Sequence, residues 1–233
     1  MAPTIDSFMN SFTNKLESPV RKHLKNVYGC LSLSTLSAAF GAYVHLHAIF
    51  QASFLTTCLA FGLLIALVLT PDNGKNHSLR LGYFLGFSFF TGIGLGPLLS
   101  VVIAIDPSIV MTALIGTSVL FVSFSISSLL SERGQWLYLG GILISAMNLL
   151  MFFSLANLFF RSNLIYQLNL YIGLMLMCGY IIYDTQHIIE KNRMGNKDFI
   201  AHALDLFLDL VHVFRHLLIL LTKKVCVSRR QKT

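Results

Sequence analysis

The sequence predicts an all-α, polytopic membrane protein in which six transmembrane helices surround a central seventh helix that carries a polar stripe. Three observations lead to this fold class. First, the 233 residues are 55% hydrophobic and only 12% charged, whereas soluble domains average about 25% charged residues. Second, apolar runs of roughly 20 residues, long enough to cross a bilayer, alternate with short polar connections. Third, the last of these runs has polar residues at helical spacing along one side.

Seven apolar segments are therefore predicted to be helical. They divide the chain into a cytosolic N-terminal segment (1–26), a seven-helix transmembrane domain (27–222) and a basic C-terminal tail (223–233). The lead is polar and basic, so no cleavable signal peptide is expected. The predicted spans are residues 27–47, 52–70, 81–105, 108–130, 136–160, 165–189 and 199–221.

The distribution of Lys and Arg predicts the orientation. These residues are concentrated in the N-terminal lead and in the second, fourth and sixth connections, so the positive-inside rule predicts a cytosolic N-terminus. This distribution also explains the net charge of +7 without a nucleic-acid partner. Seven full crossings would put the basic tail on the opposite side, against the same rule. A seventh segment that re-enters the membrane without crossing it is therefore an open alternative.

The polar stripe of the seventh segment is the strongest functional signal. His202, Asp205, Asp209, His212 and His216 advance by alternate steps of three and four residues, which places them on one face of an α-helix. A charge at the centre of a bilayer costs at least ~2.5–3.5 kcal/mol, so the acids must face other helices or water. We expect Asp209 to line an ion pathway, with Asp205 and the three histidines as candidate second ligands or proton relays.

A second acid, Asp184, lies near the predicted cytosolic end of the sixth span. Two carboxylates in an apolar site cannot both ionise cheaply, so Asp184 and Asp209 are expected to share one proton. Once ionised, they would be hard oxygen ligands suited to calcium. The alternative for Asp184 is a helix-capping or solvated side chain. Zinc is not favoured, because no cysteine accompanies the histidines.

A glycine-rich stretch in the third span has two interpretations. Gly92, Gly94, Gly96 and Pro97 describe either a kinked helix that packs closely on its neighbours or an unwound hinge beside a pore.

Six short motifs occur together between about residues 22 and 221. They are Gly41-Ala-Tyr-Val-His45, Thr91-Gly-Ile-Gly-Leu-Gly-Pro97, Gly140-Gly-Ile-Leu143, Tyr183-Asp-Thr-Gln186, Ile188-Ile-Glu-Lys191 and Leu206-Phe-Leu-Asp209. In combination they resemble the transmembrane Bax-inhibitor-motif family.

The resemblance implies a protein of the endoplasmic-reticulum membrane that protects against cell death. Members of this family leak calcium from the store in a pH-dependent way and temper the unfolded-protein response. Their fold places six helices around a seventh, and their two-aspartate pH sensor corresponds here to Asp184 and Asp209. The expected partners are membrane lipid, calcium, Bcl-type apoptosis regulators and stress sensors of the endoplasmic reticulum. No cofactor is expected beyond calcium as the permeant ion.

The chain departs from the family pattern at one position. In a bacterial relative, an arginine near the end of span two pairs with the span-six aspartate, but residues 67–70 here contain no arginine. Arg80, across the following connection, is the candidate replacement for this latch.

Two classes of function other than a channel share features of this sequence. An intramembrane aspartyl protease also uses two membrane aspartates, but its Gly-x-Gly-Asp and Pro-Ala-Leu motifs are missing, so we expect no enzymatic activity. A non-conducting membrane scaffold that binds apoptosis regulators and calcium channels is the alternative that the residues leave open.

Overall fold

The structure is a computed structural model that describes residues 17–230, and within this range it contains α-helices and no β-strands. The predicted all-α fold class is therefore confirmed. In chain order the helices are α1 (Ser18–Leu46), α2 (Phe54–Leu69), α3 (His77–Ile105), α4 (Ser108–Leu130), α5 (Leu139–Phe160), α6 (Asn163–Arg193) and α7 (Phe199–Arg230).

The helix lengths and compositions make the chain a polytopic membrane protein. In the described part of the chain, five helices are long and apolar enough to cross a bilayer, namely α1, α3, α4, α5 and α6. Helix α2 has 16 residues and is about 24 Å long at 1.5 Å per residue, so it is shorter than a ~30 Å hydrocarbon core. Helix α7 has 32 residues, with Asp205, Asp209 and Arg215 in its apolar part. The arrangement of six helices around α7 stays a prediction.

Some helix limits differ from those expected. Helix α4 has the predicted bounds, but α1 begins at Ser18, well before the predicted start at residue 27, and has Pro19 in its first turn. Proline is well tolerated in that turn. Helix α7 continues to Arg230, past the predicted end at Leu221. An apolar run marks where a helix meets lipid, whereas Lys and Arg are good helix formers and extend it further.

The chain divides into two compact units. We call the first the α6 unit; it contains Ala113–Lys197 with residues 17–23 and 208–230. We call the second the α3 unit; it contains Leu24–Thr112 and Asp198–Phe207. The first turns of α7 are therefore grouped with α3, and the rest of α7 with α6.

In the α3 unit, helices α1 and α3 meet backbone to backbone. A Cβ atom on Gly41 would overlap the carbonyl oxygen of Phe89, and one on Gly92 would overlap that of Ala38. The Ser37 hydroxyl donates a hydrogen bond of 2.9 Å to a backbone carbonyl of α3. Small residues are what allow membrane helices to approach this closely.

The glycine-rich stretch of α3 is helical. The helix is continuous through Pro97, so the stretch is not unwound in this structure. Gly96 lies against the ring of His45, whereas a Cβ atom on Gly94 would meet no atom within 4 Å. Gly92 and Gly96 therefore serve as packing residues. A hinge motion of this stretch stays a prediction.

In the α6 unit, the side chain of Gln186 joins α6 to the end of α4. Its Oε1 accepts a 2.8 Å hydrogen bond from the N–H of Trp136. Its Nε2 donates to the Ser131 hydroxyl at 2.6 Å and to the carbonyl of Glu132 at 3.0 Å. Backbone groups at a helix end have no partner within the helix, and Gln186 supplies one.

Candidate functional site

The polar stripe lies on one continuous helix, α7, and its side chains are buried or partly buried. His202 and Asp209 are buried, with relative exposures of 1% and 6%, while Asp205, His212 and His216 are partly buried. By contrast Arg215 is exposed. An ionisable group inside a membrane helix is expected to face protein or water, and the burial of these residues agrees with that expectation.

The two predicted sensor acids belong to the same unit of the structure. Asp209 is buried on α7, and Asp184 is partly buried on α6. The hydroxyl of Tyr180, one turn before Asp184, lies within electrostatic reach of both carboxylates. The structure therefore brings Asp184 and Asp209 to one neighbourhood around Tyr180.

Tyr180 is a member of this neighbourhood that the sequence reasoning missed. Its hydroxyl can donate and accept a hydrogen bond, so it is equipped to bind either protonation state of an acid. A signal for it was present, because residues four apart on a helix share a face. Tyr180 and Asp184 have this spacing.

The histidine part of the stripe is held by helix packing. The Nδ1 atom of His216 lies 2.8 Å from the carbonyl oxygen of His212. A Cβ atom on Gly173 of α6 would come within 2.7 Å of His216 Nε2. The ring of His216 therefore lies against α6 at Gly173, where the absence of a side chain makes room for it.

Arg80 has partners other than the expected one. This side chain is buried, and its Nη2 lies 2.6 Å from Asp198 Oδ2. Its Nη1 lies 3.7 Å from Asp72 Oδ1. Arg80 was expected to replace the arginine latch of Asp184, and the structure engages it with two acids of the α3 unit. A latch between Arg80 and Asp184 stays a prediction.

Asp198, just before α7, binds two groups at once. Its Oδ2 binds Arg80, and its Oδ1 accepts a 3.0 Å hydrogen bond from the N–H of Ala201, as a residue at a helix N-terminus does. Burial would raise the pKa of this carboxyl. However, hydrogen bonds from Arg80 and Ala201, with the charges of Arg80 and His202, hold its pKa below the ordinary value.

A charged cleft lies at the ends of α4 and α6, with a volume of about 330 Å³. Glu190 lines this cleft and binds Arg133, at 3.2 Å, and Arg193. Arg193 also lies 3.4 Å from Glu17. The Arg133–Glu190 and Glu17–Arg193 pairs were not identified from the sequence, because each joins segments far apart in the chain.

Among residues 17–230, no three His, Cys, Asp or Glu side chains converge as a metal site would require. Calcium normally takes six to eight oxygen ligands, so a calcium ion beside Asp184 and Asp209 would keep most of its water.

Comparison with known proteins identifies the family. Residues 20–225 match the family model described as inhibitor of apoptosis-promoting Bax1. The chain belongs to the Bax inhibitor 1 family. The match spans α1 through most of α7, so it includes Asp184, Asp209 and the Arg80–Asp198 pair.

Full-length relatives agree with this assignment. The chain is 50% identical over 213 residues to Bax inhibitor 1 of Rattus norvegicus, covering 91% of this chain and 90% of the relative. It is 45% identical to the protein of the same name from Homo sapiens, with the same coverage. Bax inhibitor 1 of Arabidopsis thaliana is 38% identical over 211 residues, covering 90% of this chain and 84% of the relative. Membership of the Bax inhibitor 1 family thus applies to nearly the whole chain.

Proposed function

We propose that this protein is a calcium leak channel of the endoplasmic-reticulum membrane, gated by pH through Asp184 and Asp209. By limiting the calcium store it would restrain apoptosis and the endoplasmic-reticulum stress response. The observation that carries the proposal is the buried Asp209 on a continuous membrane helix, in one neighbourhood with Asp184 and Tyr180. A carboxylate buried inside a membrane helix is costly in free energy, so it is rarely present without a functional role.

The gating chemistry follows from one shared proton. With the proton held between Asp184 and Asp209, the two acids attract each other and keep α6 and α7 together. Without it, two carboxylates repel each other and attract a divalent cation. The closed state therefore binds more protons than the open state, and a rise in pH favours opening.

The cellular setting belongs to the same proposal. The basic connections support a cytosolic N-terminus, and the names of the relatives support a role in apoptosis inhibition. The proposed partners are membrane lipid, calcium, Bcl-type apoptosis regulators and stress sensors of the endoplasmic reticulum. The proposed activity involves neither catalysis nor a cofactor.

A non-conducting scaffold is the second candidate. The charged cleft around Glu190 favours it, because a partner could bind there through Arg133, which is exposed, without any ion pathway. In that case Asp209 would matter for folding alone.

Calcium flux separates the two candidates. Purified protein in liposomes is expected to release calcium faster than empty liposomes do, across about pH 5 to 8. Asp209→Asn, which is nearly isosteric but cannot ionise, is expected to abolish the flux while the protein stays folded. Asp205→Asn is the matched control on the same helix and should lose less. If wild-type protein releases calcium no faster than empty liposomes do, the scaffold is favoured. The scaffold is also favoured if Asp209→Asn releases calcium as fast as wild type does.

A further inference from the structure

The first turn of α7 is attached to α3 by a buried ion pair. The guanidinium of Arg80 is only 5% exposed and the carboxylate of Asp198 is 18% exposed. Their closest atoms are 2.6 Å apart, which is a short, charge-assisted hydrogen bond. A buried pair of this kind is sensitive to the loss of either partner, because the other charge then stays buried.

The same carboxylate also organises α7 itself. Asp198 Oδ1 accepts the N–H of Ala201, and its backbone oxygen accepts the N–H of His202 at 3.3 Å. Arg80 therefore binds the same carboxylate that accepts a hydrogen bond from the first turn of α7. A displacement of α7 along its axis would break the ion pair and disturb the first turn together.

Aromatic packing continues this attachment further along the helix. The ring of Phe207 on α7 makes edge-to-face contacts with Phe84 and Phe87 of α3, with ring centroids 5.8 Å and 6.1 Å apart. Phe84 and Phe207 are fully buried. The ion pair thus lies at one end of a packed α3–α7 contact and fixes its register.

Other titratable groups surround the pair. Asp72, in the connection before α3, lies 3.7 Å from Arg80 and 3.3 Å from His77 Nδ1. The ring of His77 lies beside Phe199, the first residue of α7, and His202 of α7 lies within electrostatic reach of Asp198. Asp72 is therefore a secondary partner, with a longer contact to Arg80 than Asp198 has.

We propose that Arg80 and Asp198 are a positioning pair, which sets the register of α7 on α3 and so the position of the acids that α7 carries. Asp209 follows Asp198 by roughly three turns of the same helix. The importance of the pair for calcium flux rests on the proposed function. Its importance for the position of α7 does not.

Hydrogen exchange of the full-length protein in detergent or nanodiscs tests the position of α7. In Arg80→Gln and in Asp198→Asn, the amides of residues 199–207 are expected to exchange at least about tenfold faster than in wild type. Asparagine still accepts the N–H of Ala201, so Asp198→Asn separates loss of the ion pair from loss of the cap. Asp72→Asn should change exchange by less than about twofold, and Arg133→Gln, which removes an ion pair of the α6 unit, should leave this segment unchanged.

Calcium flux then tests the consequence for the leak. Arg80→Gln is expected to shift the pH at which flux is half-maximal, and Arg80→Lys should show a smaller shift. The double variant Arg80→Gln/Asp198→Asn should shift this pH by less than the sum of the shifts in Arg80→Gln and Asp198→Asn. Wild-type exchange in both single variants would overturn the positioning pair. Faster exchange with an unchanged pH profile would overturn its link to the leak. An absence of calcium flux from liposomes that contain wild-type protein would refute the channel. The hydrogen-exchange experiment would still test whether Arg80 and Asp198 position α7.

Discussion

Lys223, near the end of α7, lies beside Asn163 at the start of α6, with 3.4 Å between Nζ and Oδ1. The ammonium group also lies over the ring of Tyr166, 5.2 Å from its centroid. At the other end of α6, Arg193 contacts Glu17. Helix α6 has 31 residues and is about 46 Å long. The end of α7 and residue 17 therefore lie at opposite ends of the α6 unit.

The first prediction is that the chain after Lys223 leaves the membrane on the side opposite to Glu17. Cys226 is exposed on this part of α7, so in a Cys58→Ser background an impermeant maleimide should label it from that side only. Glu132→Cys, in the α4–α5 connection, reports the Glu17 side. Labelling of both cysteines from one side would mean that α7 re-enters instead of crossing.

The second prediction concerns the sign of the pH response. Because the closed state holds a proton between Asp184 and Asp209, calcium flux should increase as pH rises. Protonated His202, His212 or His216 would act in the opposite sense, by pushing helices apart at low pH. Asp184→Asn is expected to flatten the increase. A slope of wild-type sign and size in this variant would assign the sensor to the histidines.

The third prediction concerns Tyr180. The Tyr180 hydroxyl lies within electrostatic reach of both carboxylates, and a hydroxyl that donates to a carboxylate favours its ionised form. If Tyr180 donates to either acid, Tyr180→Phe should move half-maximal flux to a higher pH and leave the maximal flux nearly unchanged. Tyr171→Phe is the matched control, because that residue is exposed on the same helix. An unchanged midpoint in Tyr180→Phe would remove this hydroxyl from the site.

The fourth prediction compares two glycines of one helix. Gly92→Ala should destabilise the protein by about 1–3 kcal/mol, since the added methyl group meets the backbone of α1. Gly94→Ala adds the same group where no atom lies within 4 Å, so its stability should equal or exceed that of wild type. Thermal unfolding in detergent measures both. Equal melting temperatures for the two variants would contradict the close α1–α3 contact.

The fifth prediction follows from the lowered pKa of Asp198. A depressed carboxyl pKa gives stability that is present above the ordinary value of about 3.9 and is lost as pH falls through the folded-state pKa. Protection of the first turn of α7 should therefore persist to a lower pH in wild type than in Arg80→Gln. Coincident pH profiles would mean that Arg80 does not lower the pKa of Asp198.

The sequence was sufficient for features that depend on local periodicity. Helix α4 has its predicted bounds, because Asp106-Pro-Ser108 and the polar residues after Leu130 break the apolar run at both ends. The stripe from His202 to His216 was also predictable, because a helix repeats every 3.6 residues. Each of these signals lies within a few residues of the feature it predicts.

Features that depend on packing were not predictable in this way. Arg80 and Asp198 are 118 residues apart in the chain, and a single sequence contains no signal that joins them. The same holds for Gln186, whose hydrogen bonds reach residues 50 or more positions away. Its polar side chain is as compatible with a solvated helix end as with a bond to another helix.

The backbone contact between α1 and α3 has a consequence for biogenesis. Gly41 of α1 lies against the backbone of Phe89 in α3, and Gly92 of α3 lies against that of Ala38 in α1. These contacts can form only after α3 has been made and has entered the membrane, so insertion of α1 precedes its packing on α3. A bulky residue at Gly41 would block this packing step even where every individual helix inserts normally.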